Sequence, residues 1–254
     1  MLRIDYRHSA SRGNAFIDSP AYWIITELFG YEDKPNDRMI MGNAAEEAAY
    51  EGLNGLHPDQ VISDAETAFD RVSDNKEAPE RAWAGLIATR FVDSLKEFGK
   101  VKGYQREIIT EKFYGLTYPI KCLLDFEFKD IIVDTKATAY LKRLKSGSLD
   151  SNWYPKDSDV RQQLLYQKVF GKPTMLLYAS AKDQECVDMV DRDPMYLQQL
   201  VGAFRTIEHI TKVAKTKDDI VKMYPLTFDN FRWGKGMTES KKFAKDVWQT
   251  IWKI

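Results

Sequence analysis

The chain has 254 residues, of which 44% are hydrophobic, 13% aromatic and 30% charged, with 14 Gly and 9 Pro. This is an ordinary globular composition with room for one large domain or two small ones, and it excludes a disordered, collagenous or peptide-sized scaffold. With 37 Lys and Arg against 38 Asp and Glu the net charge is -1, so the overall basic excess common in nucleic-acid-binding domains is absent.

Ser19-Pro20 reads as an N-cap and first helical residue, and the apolar run after it ends at Gly30, which predicts a short helix over 20–29. A second helix is predicted from about Met39 to Leu53, where Ala44, Ala45, Ala48, Ala49 and Gly52 permit close packing and Glu46, Glu47 and Glu51 are spread around it. A third begins near Pro79, with Trp83, Ile87, Phe91, Leu95 and Phe98 forming a core-facing stripe. From Gly103 to Thr138 β-branched and aromatic residues dominate, and turn signals at Tyr114-Gly115 and Lys129-Asp130 divide the stretch into three antiparallel strands. A polar loop over about 145–156 leads to an amphipathic helix from Ser158 to Phe170, closed by Gly171-Lys-Pro, and then to a buried strand from Thr174 to Ser180. Helices from Pro194 to Ala214 and from Thr238 to the end flank an irregular aromatic segment. This order predicts a mixed α/β fold, with a core over about 39–181 and a helical C-terminal addition over about 190–254, in a single domain 1–254.

The neutral total conceals a partition. Residues 32–80 carry 13 acidic and 4 basic side chains, whereas residues 96–172 carry 15 basic and 10 acidic, enough to present a positive face. The apolar runs Ala21 to Ile25 and Thr174 to Ala179 are far shorter than the roughly 18 residues of a membrane span, and the N-terminus has no apolar signal region. Cys122 and Cys186 are distant and lack CxxC spacing, which excludes a disulfide framework or four-cysteine metal site and suits a reducing cytoplasm.

The informative stretch runs from Tyr118 to Lys136. If Lys129-Asp130 is a two-residue hairpin loop, Phe128 faces Ile131 and Asp125 faces Asp134. Cross-strand neighbours have Cβ atoms about 4.5–5.5 Å apart, and like charges placed so closely repel, so a cation between the aspartates is expected. Alternation puts Lys136 on the Asp134 face and turns Thr135 away. Hard carboxylate oxygens bind Mg²⁺ or Mn²⁺, which polarise a phosphate and acidify water, and a nearby ammonium can orient that water, so the arrangement suits metal-assisted phosphodiester hydrolysis. Spacing alone leaves another reading open, an exposed edge hairpin in which Lys136 balances two aspartates.

Asp125 … Asp134-Thr135-Lys136 resembles the metal-binding signature of the PD-(D/E)XK nuclease superfamily. Gly42-Asn-Ala-Ala-Glu46 resembles the helical G-N-x-x-E motif of its lambda-type phage exonucleases, and Gln162-Gln-Leu-Leu-Tyr166 the Q-x-x-x-Y motif of its RecB-like branch. The resemblance covers roughly residues 9–180 and implies a restriction-endonuclease-like core of helix, three antiparallel strands, helix and strand. It implies that Glu46, Asp125 and Asp134, with the Thr135 carbonyl, hold Mg²⁺ or Mn²⁺, that Lys136 positions the attacking water, and that Gln162 and Tyr166 hold the substrate strand. There are departures. Cys122 stands where the family commonly has Gly, three residues before the metal-binding Asp. Ser9-Ala-Ser11-Arg12 … Ser19-Pro20 resembles the S-x-S … C-P segment of RecB-like nucleases, but Ser19 replaces the cluster-binding cysteine, so no iron–sulfur cluster is expected. No Walker A motif is present.

The resemblance implies a DNA exonuclease acting on duplex ends in phage-type recombination, in the host cytoplasm if phage-encoded, with a homo-oligomer and a strand-annealing or single-strand-binding protein as further partners. The alternatives are a structure-specific or restriction-type endonuclease and a non-catalytic DNA-binding module. Lys142, Arg143 and Lys145 leave the catalytic lysine as a basic track for DNA phosphates, to which Ser11 and Arg12 add. Glu47 and Glu127 rank behind Glu46 as ligands. His8, His57 and His209 share no ligand spacing and read as surface or locally bonded, and Trp248 and Trp252 read as packing residues.

Overall fold

A computed structural model of the protein describes residues 6–141 and 154–253. Ser9 and Ser19 cap α1 (Ala10–Asp18) and α2 (Pro20–Trp23), their hydroxyls accepting from the Arg12 and Tyr22 amides, and a π turn over Ile24–Leu28 continues α2. Three helices follow: α3 (Asp37–Leu53), α4 (Pro58–Asp70) and α5 (Pro79–Leu95). Strands β1 (Gly103–Thr110), β2 (Ile120–Glu127) and β3 (Ile132–Ala137) precede α6 (Asp157–Phe170), β4 (Thr174–Ala179) and β5 (Gln184–Asp188). The chain ends in α7 (Met195–Val213), α8 (Lys217–Met223) and α9 (Glu239–Trp252).

Helices α1, α4 and α8 and strand β5 add to the elements that hydrophobic period predicts. In α4 only Val61, Ala65, Ala68 and Phe69 are buried, and two small alanines leave a weak stripe. β5 is a short polar strand at the sheet edge, paired among the described residues with β4 alone.

The chain divides into two compact units. One gathers the chain up to Asp33, Ile108–Cys122 and the chain from Asp193; the other gathers Lys34–Glu107 and Leu123–Arg192. The core anticipated over 39–181 therefore belongs to the second unit apart from Ile108–Cys122.

In the first unit Trp23, Ile24, Ile25, Ile207, Trp233 and Trp248 form an apolar core. Trp252, by contrast, is 49% exposed. His8 is fully buried: it stacks on Phe204 at 4.4 Å, and its Nε2 lies 3.1 Å from Glu208 Oε1, which also accepts from the Thr117 and Tyr118 amides. A surface position for His8 is thus corrected, because a carboxylate inside the unit supplies the polar partner that burial requires. His57 and His209 are exposed.

In the second unit α3, α4 and α5 pack through small residues, with Ala45, Ala49, Ala65, Ala84 and Ala88 fully buried, and cover Phe126, Phe128, Val133, Leu177 and Ala179 of the sheet. The strand order is β1-β2-β3-β4-β5. β2 and β3 are antiparallel with Phe126 opposite Val133 and Glu127 opposite Ile132, the register that a Lys129-Asp130 loop dictates. β3 and β4 are parallel, which requires a crossover, and α6 lies in it. Gly171 ends α6 at φ 62°, a left-handed C-cap where a side chain is disfavoured.

Among the described residues no helix is long and apolar enough to cross a membrane.

Candidate active site

Alternation along β3 divides its residues between two environments. Val133 and Ala137 pack into the core made by α3, α4 and α5, so Ile132, Asp134 and Lys136 point to the opposite face. α6 covers that face at the site: Gln162 Nε2 donates to Asp134 Oδ1 at 2.8 Å, and Tyr166 OH donates to the Leu123 carbonyl at 2.8 Å while accepting from Gln162 Nε2 at 3.3 Å. Gln162 and Tyr166 are four residues apart, hence on one side of α6. The Lys136 ammonium pairs with Asp134 Oδ2; the Asp134 side chain is 1% exposed and that of Lys136 27%.

Asp125 lies just beyond the Phe126–Val133 pair, where its side chain rather than the β2 backbone meets β3. Its Oδ2 accepts the Thr135 amide at 3.1 Å. Burial, followed by the charges of Asp134 and Glu46, holds the Asp125 carboxyl well above the usual carboxylate range. Glu46 reaches the same group from α3. Its Oε2 accepts from the Thr135 hydroxyl at 3.0 Å, and its Oε1 accepts from the Gln105 amide. Burial and then the Asp134 charge push its pKa up to about 6, against Gln105, Thr135 and Lys136, which lower it. The Lys136 ammonium is held above its ordinary range by Asp134, Asp125 and Asp159, which together outweigh its desolvation.

Four sequence-predicted residues, Glu46, Asp125, Asp134 and Lys136, are therefore brought together, with Gln162 and Tyr166 beside them. Glu47 pairs with Arg71 at 2.7 Å on an exposed surface. Glu127 is held by Arg106 at 2.5 Å and Lys172 at 2.8 Å, which keep its carboxyl below the usual range despite burial. Both arrangements favour Glu46 over its competitors. Ser11 and Arg12 belong to the first unit: the Ser11 hydroxyl is 3.0 Å from that of Ser9, and Arg12 reaches the Arg7 carbonyl and Glu27, each at 2.7 Å. Lys142, Arg143 and Lys145 lie outside the described residues. Ser19 spends its hydroxyl on the α2 cap and on the Trp233 indole N–H, which donates to it at 3.2 Å.

Three contributors escape motif reading. The Thr135 side chain, turned away from Asp134 by the pleat, meets Glu46. Gln105 aims its amide at Glu46 from a left-handed backbone position, φ 47°, uncommon for a residue with a side chain. Asp159 on α6 acts on Lys136. The first is implied by alternation once α3 is known to cover that face; the other two have no local signal.

The donor set suits a hard divalent cation, since every acidic group is a carboxylate and Lys136 is the cation that faces them among the described residues. Among the described residues no three Asp, Glu, His or Cys side chains are already gathered as a metal cage. Asp134 is turned to Lys136 and Gln162, and Glu46 to Thr135 and Gln105.

No protein-family model matches the chain, and no curated protein sequence does. Its fold is similar to that in the crystal structure of a provisionally assigned exonuclease from Eubacterium rectale, with 17% identity, a TM-score of 0.51, and coverage of 92% of this chain and 90% of that one. The solved structure of the protein SSO0001 is 16% identical, with a TM-score of 0.35 over 74% of this chain and 98% of that one.

Proposed function

We propose that the chain is a metal-dependent DNA nuclease in which Glu46, Asp125 and Asp134, with the Thr135 carbonyl, bind Mg²⁺ or Mn²⁺. The observation that carries this reading is the convergence of three mutually repelling carboxylates on one lysine, with Asp125 and Asp134 on adjacent strands just beyond the paired part of the β2–β3 hairpin. A bound cation would relieve the repulsion that raises the Asp125 and Glu46 carboxyls. When bound, the cation supplies electrophilic activation of the phosphate and acidification of a water.

The protein's own residues prepare the rest. Gln162 fixes the plane of the Asp134 carboxylate, and Tyr166 fixes Gln162 while anchored to the Leu123 carbonyl. Thr135 ties Asp125 through its amide and Glu46 through its hydroxyl, so one residue sets the spacing of two ligands. Lys136 keeps a positive charge beside the carboxylates at neutral pH, where it orients the attacking water and offsets charge developing on phosphate oxygen. From the motif resemblance Gln162 and Tyr166 would also contact DNA, and Lys142, Arg143 and Lys145 are proposed to do so from the sequence; Ser11 and Arg12 lie in the first unit, bonded to Ser9, the Arg7 carbonyl and Glu27, and are not included in this site.

An exonuclease acting on duplex ends is favoured by the likeness of the Gly42–Glu46 segment to the lambda-type motif, and exonuclease activity in general by the provisional exonuclease assignment of the Eubacterium rectale protein. The test is digestion of an end-labelled linear duplex and a covalently closed circle with Mg²⁺. The linear duplex is expected to be degraded and the circle spared, with Asp134→Asn and Lys136→Ala inactive but folded. Cleavage of the circle would instead assign an endonuclease, and full activity of both variants would remove the site.

A further inference from the structure

Asp159 precedes Gln162 by three residues and Tyr166 by seven, so all three share one side of α6. Two hydroxyls hold its carboxylate: Tyr178 OH donates to Oδ2 at 2.7 Å, and Ser158 Oγ donates to Oδ1 at 3.3 Å. Tyr178 is the register partner of Lys136 across the parallel β3–β4 pair. Lys136 and Tyr178 therefore stand side by side on the face that α6 covers, and Asp159 is fixed by the neighbour of the lysine. Its negative charge acts on the ammonium together with those of Asp134 and Asp125.

This matters because Asp134 Oδ2 is ion-paired to Lys136 but accepts no directed hydrogen bond, so it is the oxygen open to a cation. The Lys136 ammonium sits on it, and the Gln162 amide holds Oδ1. A divalent cation bound by Asp134 competes with the ammonium for the same carboxylate. An ammonium displaced in a largely buried site is strongly destabilising unless another carboxylate stands ready. The side chain is flexible, whereas Asp159 is pinned, so the lysine is the group that moves.

We infer that Asp159, held by Tyr178, is a positioning residue that receives the Lys136 ammonium when Asp134 turns to a divalent cation. The inference rests on the nuclease reading and adds a handover to it. Lys136 holds Asp134 in this structure and, paired to Asp159, would stay near the carboxylates if a cation were bound. Tyr178 keeps Asp159 from turning away to solvent.

The test is Mn²⁺ binding to the full chain by titration calorimetry, in a double-mutant cycle of Asp159→Asn and Lys136→Met. Asp159→Asn alone is expected to weaken binding about tenfold or more, the usual scale for a residue that supports a ligand from behind. Lys136→Met, which removes the competing ammonium, binds at least as tightly as wild type. In that background Asp159→Asn changes affinity by less than about twofold, because there is no ammonium to receive. Equal losses in both backgrounds, or no loss in either, overturn the handover. If Asp159→Asn does not fold, Tyr178→Phe decides, with a smaller loss that again depends on Lys136. Asp134→Asn separates the two levels of the argument: Mn²⁺ binding that survives it overturns the metal site itself, whereas binding that it removes leaves the Asp159 cycle to stand or fall alone.

Discussion

The Thr135 hydroxyl donates to Glu46 Oε2 at 3.0 Å, while the residues on either side of Thr135 in β3 turn to the opposite face and form the Asp134–Lys136 pair. A β-strand presents successive side chains to opposite faces. The site uses both: Asp134 and Lys136 are governed from α6, and Glu46 is governed from α3 through Thr135. Thr135→Val keeps the shape and β-propensity of the side chain and removes only the donor. Mg²⁺-dependent DNA cleavage by this variant is expected to fall about tenfold or more, with Thr135→Ser near wild type. Steady-state rates on a linear duplex check this, and equal rates for Val and Ser would show that the hydroxyl plays no part.

Burial, and then repulsion from Asp134, makes the charged Glu46 costly to the metal-free protein. Its folded pKa is raised to about 6, so the full penalty applies above that pH and is relieved as pH falls through about 6 toward the ordinary value of 4.5. Glu46→Gln should therefore stabilise the metal-free protein by roughly 1–2 kcal/mol at pH 8, since one unit of pKa corresponds to about 1.4 kcal/mol and the group is half-buried. The gain disappears as acidification protonates Glu46 in the wild type. Urea midpoints of the two proteins in chelator across this pH range measure it, and a constant difference contradicts it.

His8 carries the opposite sign. Burial lowers its folded pKa below 6.5, against the upward pull of Glu208, so its contribution is present above 6.5 and is lost as pH falls toward the folded value. Replacing it by Leu removes the ionisable ring from beside Phe204. The stability advantage of wild type over His8→Leu is expected to shrink as pH drops below about 6.5, because only the wild type has a buried imidazole to charge. Chemical denaturation followed by tryptophan fluorescence reports this through Trp23 and Trp233, which are buried in the same unit. A gap that widens on acidification would mean that His8 is held protonated.

Gly85 in α5 faces the backbone of α4. A Cβ there would lie 2.8 Å from Ile62 Cγ2 and 3.2 Å from both its Cα and its carbonyl oxygen, and backbone cannot swing aside as a side-chain tip can. Gly85→Ala is expected to destabilise the second unit by about 1–3 kcal/mol despite the better helix propensity of alanine. Thermal denaturation checks the sign.

Much of the site is legible in the sequence because it follows from local rules. The loop at Lys129-Asp130 sets the β2–β3 register as far as Phe126–Val133, which brings the Asp125 side chain near Asp134, and the pleat puts Lys136 with Asp134. The period of α6 then puts Gln162 and Tyr166 on one side. Each step needs only spacing and the repeat of one element. Other relationships depend on which elements pack together, and no spacing encodes them. Thr135 meets Glu46 because α3 covers one face of β3. Asp159 is held near Lys136 because a parallel crossover sets Tyr178, which bonds Asp159, beside that lysine. His8 is buried because Glu208, two hundred residues away, supplies its partner. Local chain geometry determined the motif. Packing between distant segments decided which groups hold the motif in place and how its charges are balanced.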